Sequence, residues 1–193
     1  MSETVAPGRA RRTLPNGVWG MLIFVLTEGT LFGSLLGTYF YLRFNSPQWP
    51  PDGIEAPSVA LPLALTGALV LSAVPVVLAA LAAHRGRRGA AMALVSAALV
   101  VQGGYLAWQI VSFLHDLDSF SPSATAYGSI YFTLLAADHL HVALGILFSL
   151  WVVVRLAVGL NPYRLVTVQA VALYWVVVAL LTVLVTLTQV SPS

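Results

Sequence analysis

The chain has 193 residues, 59% hydrophobic and only 8% charged, against about 25% charged in ordinary soluble domains. Its nine basic residues are all arginine and stand against seven acids, a balance too thin to recruit nucleic acid. The absence of cysteine excludes disulfides, thiolate metal sites, iron–sulfur clusters and cysteine nucleophiles together, and what remains is the composition of an integral membrane protein.

Residues 1–16 carry Arg9, Arg11 and Arg12 but no short apolar core followed by a small-residue cleavage site. They read as a cytoplasmic tail ahead of a retained first span. A spanning helix needs about 20 apolar residues. Five stretches qualify: 17–44, 58–83, 89–114, 127–154 and 165–189, joined by short connections such as "HRGRRG" and "RLAVGLNPYR". The expected fold is an all-α membrane protein, one domain over 17–193 built as a bundle of five transmembrane helices. Arg9, Arg11, Arg12, Arg85, Arg87, Arg88, Arg155 and Arg164 fall on one side, while Asp52, Glu55, Asp116 and Asp118 fall on the other with Arg43. The excess of arginine predicts a cytoplasmic N-terminus and an external C-terminus.

The first span contains "LTEGTLFGSLLGTYFYLRF", in which Glu28 lies roughly 16 Å along the helix, near the bilayer centre. An ionised group there costs at least about 2.5–3.5 kcal/mol on insertion scales, so Glu28 must face protein or water, or stay neutral. Gly29, Gly33 and Gly37 recur every fourth residue beside it, with Thr30, Ser34 and Thr38 widening the small face. Such a series lets another helix approach closely and predicts that this span packs against protein, with Glu28 flanking the crossing. In the second span, Pro75 removes a backbone donor and predicts a kink.

The fourth span holds "LLAADHLHVALG". Asp138 and His141 are three apart, on one helical face, and within reach of a direct hydrogen bond. His139 and His141 point roughly 200° apart and cannot chelate one metal from a single helix. His84 and His115 lie at span ends, so a bis-histidine haem lacks its second axial ligand and no metal site is expected. Glu28, Asp138, His141 and His139 are the candidate polar cluster. Two roles suit them: hydrogen bonds that hold helices together, or proton handling. The first and fourth spans should bring Glu28 and His141 within hydrogen-bond reach, directly or through one water.

These residues carry a resemblance. The first span resembles the "(S/T)E-x-x-x-F" helix of subunit III of haem–copper oxidases, with Glu28 at the position of the family's intramembrane glutamate. The fourth resembles its "H-G-x-H-V-x-x-G" helix through His141, Val142 and Gly145. Tyr174 and Trp175 match the "YW" that opens the family's terminal helix. The likeness runs from Gly17 to Gln189 as a five-span form; the seven-span members have a further N-terminal pair. Asp138 stands where the family has its first histidine and His139 where it has glycine. "YWVVVA" replaces "YWHF-x-D". The resemblance implies an accessory, non-redox subunit of a terminal oxidase in a bacterial plasma membrane. It would sit beside catalytic subunit I and subunit II, which hold the haem and copper, bind phospholipid, and support proton uptake coupled to O₂ reduction. The departures suit a quinol oxidase or a nitric-oxide-reductase-associated subunit as well as a cytochrome c oxidase. A small proton-coupled transporter and a purely structural scaffold are the alternatives from other classes.

Overall fold

A computed structural model describes residues 14–54 and 58–190; Arg9, Arg11, Arg12 and Glu55 lie outside them. The described residues form five α-helices: α1 Asn16–Phe44, α2 Ala60–His84, α3 Arg88–Ser119, α4 Ala126–Val158 and α5 Pro162–Val190. All five are long and apolar enough to cross a membrane. α3 runs on through "HDLDS", and its polar last turn brings Asp116 against α4, where the Tyr131 hydroxyl donates to it at 2.7 Å. Pro75 lies within α2, which continues on both sides of it.

The connections follow local chemistry. Gly86 (φ 72°) takes the left-handed conformation that closes the turn from α2 to α3, and Gly159 (φ 136°) ends α4. Asn161 Oδ1 accepts from the Arg164 amide at 2.9 Å, and Pro162 opens α5 where a missing N–H costs nothing. The Thr125 hydroxyl caps α4 by accepting from the Gly128 amide at 3.0 Å.

Helices α2, α3, α4 and α5 pack in a closed ring in that order, each against its two neighbours, and α1 lies outside it in the groove between α4 and α5. Lipid tails are as apolar as leucine, so close packing and interhelical hydrogen bonds must hold such a ring, not the expulsion of water. Small residues serve that end on α2 and α3, where Ala79, Ala83, Ala91 and Ala98 are buried. One packed cluster gathers Val76, Val95, Val152, Val168 and Trp175; a second, aromatic one gathers Phe32, Tyr39, Trp49, Tyr127 and Phe132.

Helix α1 is the least buried. Its most apolar stretch is 11% buried, against 56% for α5. It meets the groove through Val25, Phe32 and Tyr39, seven residues apart. This geometry narrows one expectation to contacts beyond this chain. Gly29, Gly33 and Gly37 are exposed, and a Cβ at any of them would meet nothing within 4 Å, so no helix of this chain crosses at the ladder. A seven-residue repeat drifts by about 20° per step and a four-residue repeat by about 40° the other way, so the ladder spirals off the buried seam. Glu28, three residues after Val25 and four before Phe32, stays on the seam.

Candidate functional site: the Glu28–His141 pair

The site lies where α1 enters the groove. Glu28 Oε2 and His141 Nε2 are 2.6 Å apart, and the two side chains are 16% and 6% exposed. The expected approach of the first and fourth spans is thus a direct hydrogen bond. The imidazole is held on all sides. Its Nδ1 lies 2.6 Å from the Ala137 carbonyl, and Phe32 of α1 stands edge-on to the ring with centroids 5.1 Å apart. The Tyr174 hydroxyl of α5 donates to the His141 backbone carbonyl at 2.9 Å, fixing the main chain beneath the ring.

The hydrogen-bond partners fix the proton count. A carbonyl can only accept, so Nδ1 carries a hydrogen and donates it to Ala137. Nε2 then shares one proton with Glu28, either as neutral imidazole accepting from a protonated carboxyl or as imidazolium donating to a carboxylate. Both arrangements have zero net charge. An acid and a base thus sit inside the membrane without an unpaired ion, and one proton can reside on either partner.

Asp138 belongs to a different set of contacts, which corrects the expected Asp138–His141 hydrogen bond. Both nitrogens of His141 are engaged elsewhere, and Asp138 Oδ1 accepts from the Thr182 hydroxyl of α5 at 2.6 Å. The residues are one turn apart, but Asp138 turns toward the ring interior and His141 toward α1. Tyr105 of α3 lies near Asp138 and takes a hydrogen bond from Gln109 at 3.0 Å. Thr66 of α2 and Thr186 of α5 share a 2.7 Å hydrogen bond nearby, so each ring helix contributes a polar group to the interior. His139 is separate from both sets: it faces Phe113 of α3, centroids 5.7 Å apart. Among the described residues no three of His, Cys, Asp or Glu gather as a metal-binding group.

Sequence reasoning missed Tyr105, Gln109 and Thr182. The signal open to it was the pair Thr182 and Thr186, four apart in a largely apolar span and so stacked on one face. The role of Gly145 is also structural and precise: a Cβ there would lie 2.7 Å from the Trp175 ring, whose Nε1–H donates to Ser149 Oγ at 2.8 Å. Glycine on α4 is therefore the seat of the tryptophan on α5.

The described residues thus define a five-helix membrane protein with a carboxylate–imidazole pair inside the bundle. The comparison with known proteins gives the family: residues 1–189 match the model of cytochrome c oxidase subunit III, and the chain belongs to that family. It is 30% identical to the cytochrome bo(3) ubiquinol oxidase subunit 3 of Pseudomonas aeruginosa, over 83% of this chain and 77% of that protein. It is 29% identical to the cytochrome c oxidase subunit 3 of Bacillus subtilis, over 83% and 78% respectively. With the cytochrome c oxidase subunit 3 of Gallus gallus it shares 26%, over 90% of this chain and 69% of that protein. The chain is thus a multi-pass plasma-membrane protein of the respiratory oxidases, in the bacterial manner of its first relatives.

Proposed function

We propose that this chain is the non-redox subunit of a terminal haem–copper oxidase that packs on catalytic subunit I, near subunit II, holds phospholipid at its surface and supports proton uptake through the Glu28–His141 pair. Haem and copper, which supply the electron transfer and O₂ chemistry, would reside in those partners. One observation carries the reading: the 2.6 Å bond whose single proton has two adjacent resting places. The arginine distribution supports its sidedness. Arg85, Arg87 and Arg88 lie at the α2–α3 turn and Arg155 and Arg164 about the α4–α5 turn, at the end of the bundle opposite Asp52, Asp116 and Asp118. That end faces the cytoplasm under the positive-inside rule. The exposed ladder of Gly29, Gly33 and Gly37 gives α1 a surface that a helix of the catalytic subunit can approach closely.

Glu28→Gln in the intact oxidase tests the proton role. The glutamine amide can still donate to Nε2, so the contact survives while the exchangeable proton is lost. Slower proton uptake during turnover is expected, with haem content and subunit composition unchanged. Uptake equal to wild type would overturn the proton role and leave the pair as an anchor for α1. That second reading is favoured by the position of Glu28 on the same buried seam as Val25 and Phe32.

A further inference from the structure

A cavity of about 390 Å³ lies in the bundle away from the Glu28–His141 pair, bounded by the start of α2, the last turns of α3, the first turns of α4 and the end of α5. It is at the arginine-poor end. Its wall includes Gln109, Ser112, Asp116, Tyr131, His139 and Gln189. Two of these hold buried nitrogens, His139 Nε2 and Gln189 Nε2, that find no hydrogen-bond partner in the protein. Leaving a buried polar group unmet is costly, so two in one chamber call for a polar occupant. An acyl chain would leave both unmet and lie against Asp116. The volume accommodates on the order of ten waters at ~30 Å³ each, with polar partners on several walls.

The chamber does not end at its wall. Gln109 Nε2–H donates to the Tyr105 hydroxyl oxygen, and that hydroxyl lies near the Asp138 carboxyl. Asp138 is faced by Tyr105 from α3, Thr182 from α5 and His141 from its own helix. We propose that the cavity is a hydrated chamber through which water from the arginine-poor side reaches the Gln109–Tyr105–Asp138 chain. The buried aspartate thereby has an aqueous connection of its own, on the face of α4 away from α1.

The chain has no cysteine, so single substitutions can be read in an otherwise unaltered subunit within its complex in membranes. The probe is the membrane-impermeant, anionic 2-sulfonatoethyl methanethiosulfonate, which reacts with thiolates and therefore with wet sites. Ser112→Cys and Leu135→Cys line the chamber, Val100→Cys faces outward in the middle of α3, and Ser123→Cys, between α3 and α4, and Tyr163→Cys, in the first turn of α5, mark the two ends of the bundle. The expected result is modification of Ser112→Cys and Leu135→Cys from the side that labels Ser123→Cys, roughly tenfold faster than Val100→Cys. Rates equal to that of Val100→Cys, or labelling only from the Tyr163→Cys side, would overturn the proposal. Should Ser123→Cys itself label from the cytoplasm, the membrane orientation is reversed and the chamber stands. The inner link is read by infrared spectroscopy on transfer to D₂O, with the Tyr105 C–O–H band assigned by Tyr105→Phe. Gln109→Leu is expected to slow deuteration of that band, and an unchanged rate would overturn the connection to Asp138.

Discussion

At the scale of single residues, this membrane interior is governed by what each polar or small side chain has opposite it. Glu28 and His141 neutralise one another, and Thr182 supplies a hydroxyl donor to Asp138. Gly145 obeys the complementary rule of volume. Its missing Cβ is the space into which Trp175 fits, and Trp175 is wholly buried, so the ring cannot yield. Gly145→Ala should therefore destabilise the bundle by about 1–3 kcal/mol through overpacking, despite the better helix propensity of alanine. The midpoint of denaturant-induced unfolding in detergent checks this. The double variant Gly145→Ala with Trp175→Phe should lose less than the sum of the two single changes, because phenylalanine lacks the ring atoms nearest the new methyl.

At the scale of elements, α1 is a separate piece docked on a finished ring. Its hold is the seam of Val25, Glu28, Phe32 and Tyr39, closed by the Tyr39 hydroxyl donating to the Thr188 carbonyl of α5 and by the Trp49 indole N–H donating to Tyr39 at 3.2 Å. Phe32→Ala removes the ring that abuts His141 and should loosen α1 selectively. The expected loss is below about 3 kcal/mol, the low end for phenylalanine truncation, because in lipid the removed ring forfeits packing and no transfer from water. Proteolysis of the connection after Phe44 should quicken while cleavage between α2 and α5 does not. Much of this level was legible from sequence. Hydropathy marked five helices, and an acid at mid-membrane demanded a partner that the histidine at the same depth could provide. The ladder's partner was not legible, because glycine spacing tells how close a helix could come and not whether this chain supplies it. Asp138 was assigned to His141 because i, i+3 spacing is visible along a chain, whereas a threonine 44 residues later is not.

At the scale of the whole molecule, the chain has a self-sufficient side and an unfinished one. The ring buries its own polar groups, while the outer face of α1 presents small residues to whatever lies beyond. Gly33→Leu should leave the stability of the isolated chain within about 0.5 kcal/mol of wild type, since a Cβ there meets nothing within 4 Å and the helix gains propensity. In the cell it should lower the yield of haem-containing subunits that co-purify with the chain. Yield equal to wild type would mean that the ladder faces lipid. The docking of α1 outside the ring also has a consequence for biosynthesis. α1 leaves the ribosome first, yet both walls of its groove are made last, and His141 follows Glu28 by 113 residues. At about 5–20 residues per second, Glu28 waits in the membrane for on the order of ten seconds without its base. The first helix must cross that interval with its carboxyl protonated or in borrowed company. Replacing Glu28 by glutamine should speed the appearance of membrane-inserted nascent chain in pulse labelling, whatever it does to the finished oxidase.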